Sequence, residues 1–354
     1  MVVPNLFKWG ENRLMNGFIP HSKPTINAFD VEAVSLQLKS NFVAKGQAVS
    51  EFEKQIEICN QINHAVCTTS GSSALQSILL GMMLPQNSEV IMPSYVCKSV
   101  YNSIIAAGLI PVLCDIGTGW TMTYDSVNAK FSSKTSAIIL VHTFGIDAWD
   151  ERFSHLKIPV IEDFCQGFAL HKYSKRILKG IAGFCSFNAT KYITTGEGGA
   201  VITNNSALHN SVKNVILENR LPGVFSDLQA SLGISQLNQF PNFVKARFQI
   251  IEKYMSSISD KESIKQISLV KDKSIYFRFL IDTKNDVQKM IMEANKKGIA
   301  IRRGVDAMLH SNTAAADFPN TEKRFSSTAS LPVYPSLTQE EQDRIIVFIN
   351  RYEE

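Results

Sequence analysis

The chain of 354 residues has no apolar run approaching the roughly 20 residues of a membrane-spanning helix. It also has no Cys-x-x-Cys pair and no Cys/His cluster at metal-ligand spacing. The six cysteines (Cys59, Cys67, Cys97, Cys114, Cys165, Cys185) therefore read as reduced thiols of a cytoplasmic protein, with no metal site. Lys and Arg form no block, and a net charge of +4 is spread along the chain, which argues against a nucleic-acid partner. No Gly-x-Gly-x-x-Gly follows an early strand, so nicotinamide binding is unsupported. Met1 to Gly10 holds no apolar segment of the secretory type, and there are neither repeats nor low-complexity tracts.

What is present is a hydrophobic content of 45%, enough for a large core and a second, smaller one. Residues 1–25, with Pro4, Pro20 and Pro24, read as an N-terminal arm. Helical spacing marks Asn27–Lys39 (through Val31, Val34, Leu36 and Leu38), Val49–Ile62, a run from Leu75, Ser99–Ala107, Ser211–Asn219 and Asp227–Leu237. Strand patterns alternate with them: from His64, Glu89–Pro93, Ile110–Asp115, Ser136–Val141, Ile158–Glu162, Gly183–Phe187 and Ala200–Thr203. The alternation predicts an α/β sandwich with a mostly parallel sheet over residues 26–240. A boundary is expected at Asn238-Gln-Phe-Pro-Asn242. Beyond it, a helix at Val244–Ile258, a strand at Ile275–Ile281, a helix at Val287–Lys297, a strand at Ile299–Arg303 and a helix at Gln339–Tyr352 make residues 241–354 a small α+β domain.

Three segments carry chemistry. Ser186-Phe-Asn-Ala-Thr-Lys191 runs into Gly196-Glu-Gly-Gly-Ala200, a lysine on a tight loop whose glycines let a flat group approach the backbone. Ser70-Gly-Ser-Ser73 sits between a strand and a helix. There the first-turn amides and the helix dipole suit a phosphate, although an ordinary Ser N-cap reads equally well. Asp163 ends an apolar strand and is followed by Gln166. A buried carboxylate needs a positive partner, such as a protonated pyridine nitrogen; the other reading is a helix N-cap. Anion cradle, pyridinium partner and amine are together the parts of a pyridoxal-phosphate site.

These segments resemble the DegT–StrS sugar aminotransferases, fold-type I pyridoxal-phosphate enzymes, over nearly the whole chain. Ser70 to Leu75 is similar to that family's phosphate turn, Ile161-Glu-Asp-Phe-Cys-Gln166 to its acidic segment, and Ser186 to Ala200 to its lysine loop. Val141 to Gly145, Asp227 to Gly233 and Leu331-Pro-Val-Tyr-Pro335 fit further landmarks.

The resemblance implies that Lys191 holds the cofactor as a Schiff base and moves protons. It implies that Asp163 faces the ring nitrogen, that Gln166 meets the ring oxygen, and that Gly71, Ser72, Ser73 and Ser186 hold the phosphate. Tyr95, Cys97 and Asn188 complete the expected cofactor-binding set. The implied reaction moves an amino group from an amino acid, usually glutamate, to a keto sugar, usually nucleotide-linked, for amino-sugar or surface-polysaccharide synthesis. The implied assembly is a homodimer with sites at the interface.

Three positions depart from the family pattern. Cys97 stands where an aromatic residue usually packs on the ring. Pro222 lies near the usual partner-subunit Asn, with Asn219 and Arg220 as substitutes. Phe168 replaces a usual histidine. Rival readings are a cofactor-dependent sugar dehydratase, disfavoured because such members carry histidine in place of the lysine, and a non-catalytic regulator that keeps the fold. His310, Arg302, Arg303 and Tyr95 are the candidates for substrate contact.

Overall fold

A computed structural model describes residues 17–170, 178–218, 221, 223–260, 265–266, 274–283 and 287–352. Most of the expected N-terminal arm lies outside them, as do Asn219, Arg220 and Pro222.

Seven strands form the larger sheet: β1 (His64–Thr68), β2 (Glu89–Pro93), β3 (Ile110–Cys114), β4 (Thr135–Val141), β5 (Val160–Asp163), β6 (Ala182–Ser186) and β7 (Gly199–Thr203). Their order is β1-β7-β6-β5-β4-β2-β3. Only β7 runs against its neighbours, so the sheet is mostly parallel, as expected. Helices α1 (Ala28–Lys39), α2 (Gln47–Asn60), α3 (Gly71–Gly81), α4 (Lys98–Ala106), α5 (Tyr124–Asn128) and α6 (Ser206–Leu217) accompany it. The central strands are buried on both faces and read as continuous apolar runs; Ile138, Ile139 and Leu140 are fully buried. Leu75, Ile78 and Leu79 of α3 fill one side, and Phe52 and Ile56 of α2 pack in a second cluster with Phe187 and Phe225.

The loops after β1, β2, β4, β5 and β6 all leave the carboxyl edge of the parallel strands, where ligands of open α/β sheets bind.

Residues 227–257 form one unbroken helix, α7 (Asp227–Ser257), where a break near Pro241 was expected. A proline in a helix forfeits one backbone bond and crowds the turn before it. Burial of Phe240, Phe243 and Val244 beside it supplies what holds the helix through that point.

A second sheet, in the order β10-β11-β9-β8, comprises β8 (Lys265–Gln266), β9 (Phe279–Asp282), β10 (Arg302–Arg303) and β11 (Thr328–Leu331). It is joined by α8 (Val287–Lys296), α9 (Pro319–Ser327) and α10 (Gln339–Arg351). The strands expected at 275–281 and 299–303 are shorter than their patterns. Tyr276 adopts φ of +52°, which ends extended structure. Residues 275–277 instead hydrogen-bond to the turn after β4, Ile275 N to Gly145 O at 3.2 Å and Phe277 N to Phe144 O at 3.1 Å. That crossing brings the C-terminal part of the chain to the sheet edge. Ile299 pairs with Ile19, which is fully buried.

Helix α1 reverses its expected orientation. Its buried residue is Asp30, which accepts from Ser235 Oγ at 2.7 Å, Gln236 Nε2 at 2.9 Å and Gln239 Nε2 at 3.1 Å. Phe29, Val31, Leu36 and Leu38, with Phe42 and Val43 beyond the helix, face outward. The apolar spacing is real, but none of the described residues covers it.

Candidate active site

A cleft of about 390 Å³ opens at the carboxyl edge of the large sheet. It is lined by Gly71, Ser72, Tyr95, Cys97, Asp163, Gln166, Ser186, Asn188 and Lys191, and closed on the far side by residues of the C-terminal part.

The lysine loop is a hairpin between β6 and β7. Its last sheet pair is Ser186 with Gly199, and Phe187 N donates to Gly198 O at 2.8 Å. Asn188 folds the tip: its Oδ1 accepts from Thr190 N at 3.1 Å, its Nδ2 donates to Glu197 Oε1 at 2.7 Å, and its carbonyl accepts from Lys191 N at 2.9 Å. Lys191 Nζ lies 5.6 Å from the centroid of the Phe277 ring. Glycine at 199 is required by a close approach, since a Cβ there would stand 2.5 Å from the carbonyl of Ser70.

That approach sets the hairpin against the N-terminus of α3. Ser70 caps this helix, its Oγ accepting from Ser73 N at 3.0 Å, and Ser70 O accepts from Ala74 N at 3.0 Å. The amides of Gly71 and Ser72 remain the free donors of the first turn and face the cleft. A Cβ on Gly71 would lie 3.1 Å from Ser186 Cβ and 3.2 Å from Cys165 Sγ, so the cradle tolerates little beyond hydrogen here. Ser73 does not line the cleft. Its hydroxyl bonds Ser70 Oγ and Thr69 Oγ1, both at 3.0 Å, on the other side of the turn.

Asp163 is buried at the end of β5 and makes no ion pair among the described residues. Its Oδ1 accepts from Cys165 N at 2.8 Å. Burial raises its pKa, opposed by the bonds from Cys165 and by the Lys191 charge. Residues 165–170 form turns, so among the described residues Asp163 caps a turn at Cys165 and no regular helix. Gln166 has its Oε1 fixed by Phe144 N at 2.6 Å, which leaves its NH₂ to donate into the cleft.

Behind them sits a pair that the sequence reading did not single out. His142 Nδ1 accepts from Ala148 N at 3.1 Å, so Nε2 carries the proton and donates to Glu162 Oε2 at 3.0 Å. Glu162 Oε1 in turn accepts from Lys179 N and Gly180 N at 2.8 and 2.7 Å. The pair is buried and braces the ends of β4 and β5.

Tyr95 is fully buried, edge-on to Phe144 at 6.4 Å, and its hydroxyl has no hydrogen-bond partner among the described residues. Burial pushes its pKa up. It is a wall of the cleft, packed against Gly304. Cys97 is exposed at the mouth, with Sγ 2.8 Å from Ser99 Oγ. None of the six cysteines is in a disulfide. Phe168 packs edge-on against Phe187 and Phe240 in the core and does not line the cleft.

Of the candidates for substrate contact, Arg302 and Arg303 line the cleft and His310 does not. His310 Nδ1 bonds Ser94 Oγ at 2.6 Å and its Nε2 bonds Glu322 Oε1 at 3.0 Å, with Phe318 stacked on the ring. It ties the C-terminal part to the loop that carries Tyr95 and Cys97. The cleft also gains His21, Ser22, Phe277, Arg278 and Ser330, none of which the motifs flagged. One signal was legible: Arg278 is a charged residue inside the apolar run Ile275 to Ile281.

Known proteins share both sequence and shape with this chain. The spore coat polysaccharide biosynthesis protein SpsC of Bacillus subtilis (strain 168) is 27% identical, over 94% of this chain and 96% of SpsC. Among solved structures, Helicobacter pylori PseC, an aminotransferase involved in the biosynthesis of pseudoaminic acid, superposes with a TM-score of 0.83 at 22% identity, covering 94% of this chain and 98% of PseC. Bacillus subtilis NtdA, solved with the cofactor PMP bound, has a TM-score of 0.81 at 23% identity, with 92% and 82% covered. Residues 24–350 match the sequence pattern of the DegT/DnrJ/EryC1/StrS aminotransferase family, and the chain belongs to that family.

Proposed function

We propose that this protein binds pyridoxal 5′-phosphate and moves an amino group from an amino acid, in the first instance glutamate, to a keto sugar carried on a nucleotide. The reading includes a homodimer working in the cytoplasm, with residues 26–240 as the cofactor-binding domain and 241–354 as a smaller domain over the cleft. The observation that carries it is the convergence of Lys191, Asp163 and the open N-terminus of α3 on one cleft.

The residues present fit the cofactor. Two unbonded amides at Gly71 and Ser72 and the Ser186 hydroxyl suit a phosphate. Asp163 is a buried carboxylate without a cation, and a ring N–H⁺ would supply one. The Gln166 NH₂ is free to donate to a ring oxygen.

When bound, the cofactor supplies an aldehyde carbon that joins to amines and a ring that takes up the electron pair of a broken Cα–H bond. Lys191 then serves as the base that takes and returns protons at Nζ, with the Asn188–Glu197 bond holding its loop. Asp163 keeps the ring charge in place. Tyr95 and Phe144 exclude water from one side.

SpsC and PseC bear names of polysaccharide and amino-sugar synthesis, which supports a sugar acceptor. The outward apolar residues of α1 and its following loop support a second copy of the chain as their cover. The described residues include no helix long and apolar enough to cross a membrane. Lysine at 191 disfavours the dehydratase reading.

The test is the visible spectrum of the protein purified with pyridoxal phosphate, before and after glutamate. A band that bleaches with glutamate and returns with a keto acid supports transamination. Lys191→Ala should fold, lose that band and lose turnover by about 10³-fold or more; full turnover in this variant would end the assignment.

A further inference from the structure

The residues 274–278 bring a second cation into the cleft. Arg278 is nine-tenths buried, yet it is among the residues that line the cavity. It lies 4.1 Å from the centroid of the Phe277 ring, the same ring that Lys191 approaches. Its Nη2 donates to Ser22 Oγ at 2.9 Å, and Nη1 makes only a long 3.5 Å contact with the Phe277 carbonyl. No carboxylate pairs with it among the described residues. A guanidinium carries five N–H donors in a fork that fits a carboxylate edge to edge. Most of those donors are unspent here.

The neighbouring charged groups are otherwise engaged. The nearest other buried guanidinium, Arg247, is spent in the core: Nη1 donates to Val333 O at 2.7 Å, and the group stacks on Tyr192 at 4.7 Å. Arg303 is turned to Phe325, donating to its carbonyl at 2.6 Å. Of the three carboxylates that line the cleft, Glu197 is committed to Asn188 and Asp163 to the turn at Cys165, and Asp306 forms no ion pair with Arg278. Burial, with Arg247 nearby, lowers the Arg278 pKa to about 9, and burial beside Arg278 and Arg302 holds His21 well below its usual value. Arg278 and Arg302 thus line the cleft together, and Arg278 has no ion-pair partner among the described residues. Ser22, also in the cleft lining, holds one arm of the fork, and is itself 3.4 Å from His21 Nδ1, whose Nε2 bonds Ser330 Oγ at 3.0 Å.

We infer that Arg278, oriented by Ser22, is the seat of the amino donor's α-carboxylate, placing the donor's amine toward Lys191 across Phe277. The assignment rests on the transaminase reading above and extends it to donor recognition. Carboxylate could instead arrive on the acceptor, as a sugar acid, and the experiment separates the two.

Four proteins are compared: wild type, Arg278→Met, Arg278→Lys and Ser22→Ala, each checked for folding by circular dichroism. In the cofactor-loaded form, bleaching is titrated with glutamate and with isoglutamine, its α-carboxamide. The wild type should bind glutamate about a hundredfold more tightly than isoglutamine. Arg278→Met should weaken glutamate about a hundredfold and bind both donors alike. Arg278→Lys should recover part of the preference, and Ser22→Ala should lose several-fold of it. In the cofactor-free form, 2-oxoglutarate is titrated by calorimetry, and its binding should be lost in Arg278→Met. Unchanged donor preference in Arg278→Met overturns the inference, whether or not a carboxylated acceptor then reacts more slowly. If no donor bleaches the wild type, the transaminase reading fails, and calorimetry decides the carboxylate seat: binding that depends on Arg278 supports it, and binding that does not overturns it.

Discussion

On the proposed function, Asp163 would have opposed duties in the cofactor-free and loaded protein. Buried without a cation, it holds its proton more tightly than in the unfolded chain. Its contribution to stability is thus present below the ordinary carboxylate pKa and is lost as pH rises through the raised native value. At neutral pH it costs the empty protein stability. Asp163→Asn keeps an oxygen for Cys165 N and removes the charge. The cofactor-free variant should melt about 2 °C higher than wild type at pH 7, with the gap closing at pH 4, by calorimetry. The same change should weaken retention of the cofactor. A lower melting point for the empty variant at pH 7 would contradict this account.

That certain residues would meet in one cleft was legible because their types and their places at strand ends are restrictive. Lys191, Asp163 and Gln166 fall in this class. Arg278 was not, because an apolar run with one charge reads as a strand until Tyr276 is seen to turn it. Ser73 looked like its neighbours, and only its bonds to Ser70 and Thr69 show it facing away.

At the level of elements, periodicity located α1 but not the face it buries. Asp30 docks on α7 through three donors, so the polar side faces inward and the apolar side outward. Likewise Pro241 marked a break that the packing of Phe240, Phe243 and Val244 overrides. Neighbouring elements also complete one another's ends. Asp227, at the start of α7, accepts from Gly46 N at 2.8 Å and Val49 N at 3.0 Å, capping α2 from a distance of 178 residues in sequence. Asp227→Ala should cost about 1–2 kcal/mol, read as a lower urea midpoint with the slope unchanged. A midpoint equal to wild type would show that water replaces the cap.

For the whole molecule, the exposed Phe29, Val31, Leu36, Leu38, Phe42 and Val43 are the test of assembly. A carboxylate placed among them would be buried unpaired in a dimer and solvated in a monomer. Leu36→Glu should weaken association about a hundredfold or more in sedimentation equilibrium, with the monomer's circular dichroism unchanged; a dimer as tight as wild type would place the interface elsewhere. The lysine hairpin adds a last consequence. Both its legs are rungs of the large sheet, closing at Ser186 opposite Gly199, so the base of the lysine loop is anchored to the sheet. The opposite bank is held by the Ser94–His310–Glu322 contacts, by the crossing at 275–277 and by the pairing of Ile19 with Ile299. Any breathing of the cleft would then fall to those contacts of the opposite bank and not to the sheet pairs at the base of the lysine loop.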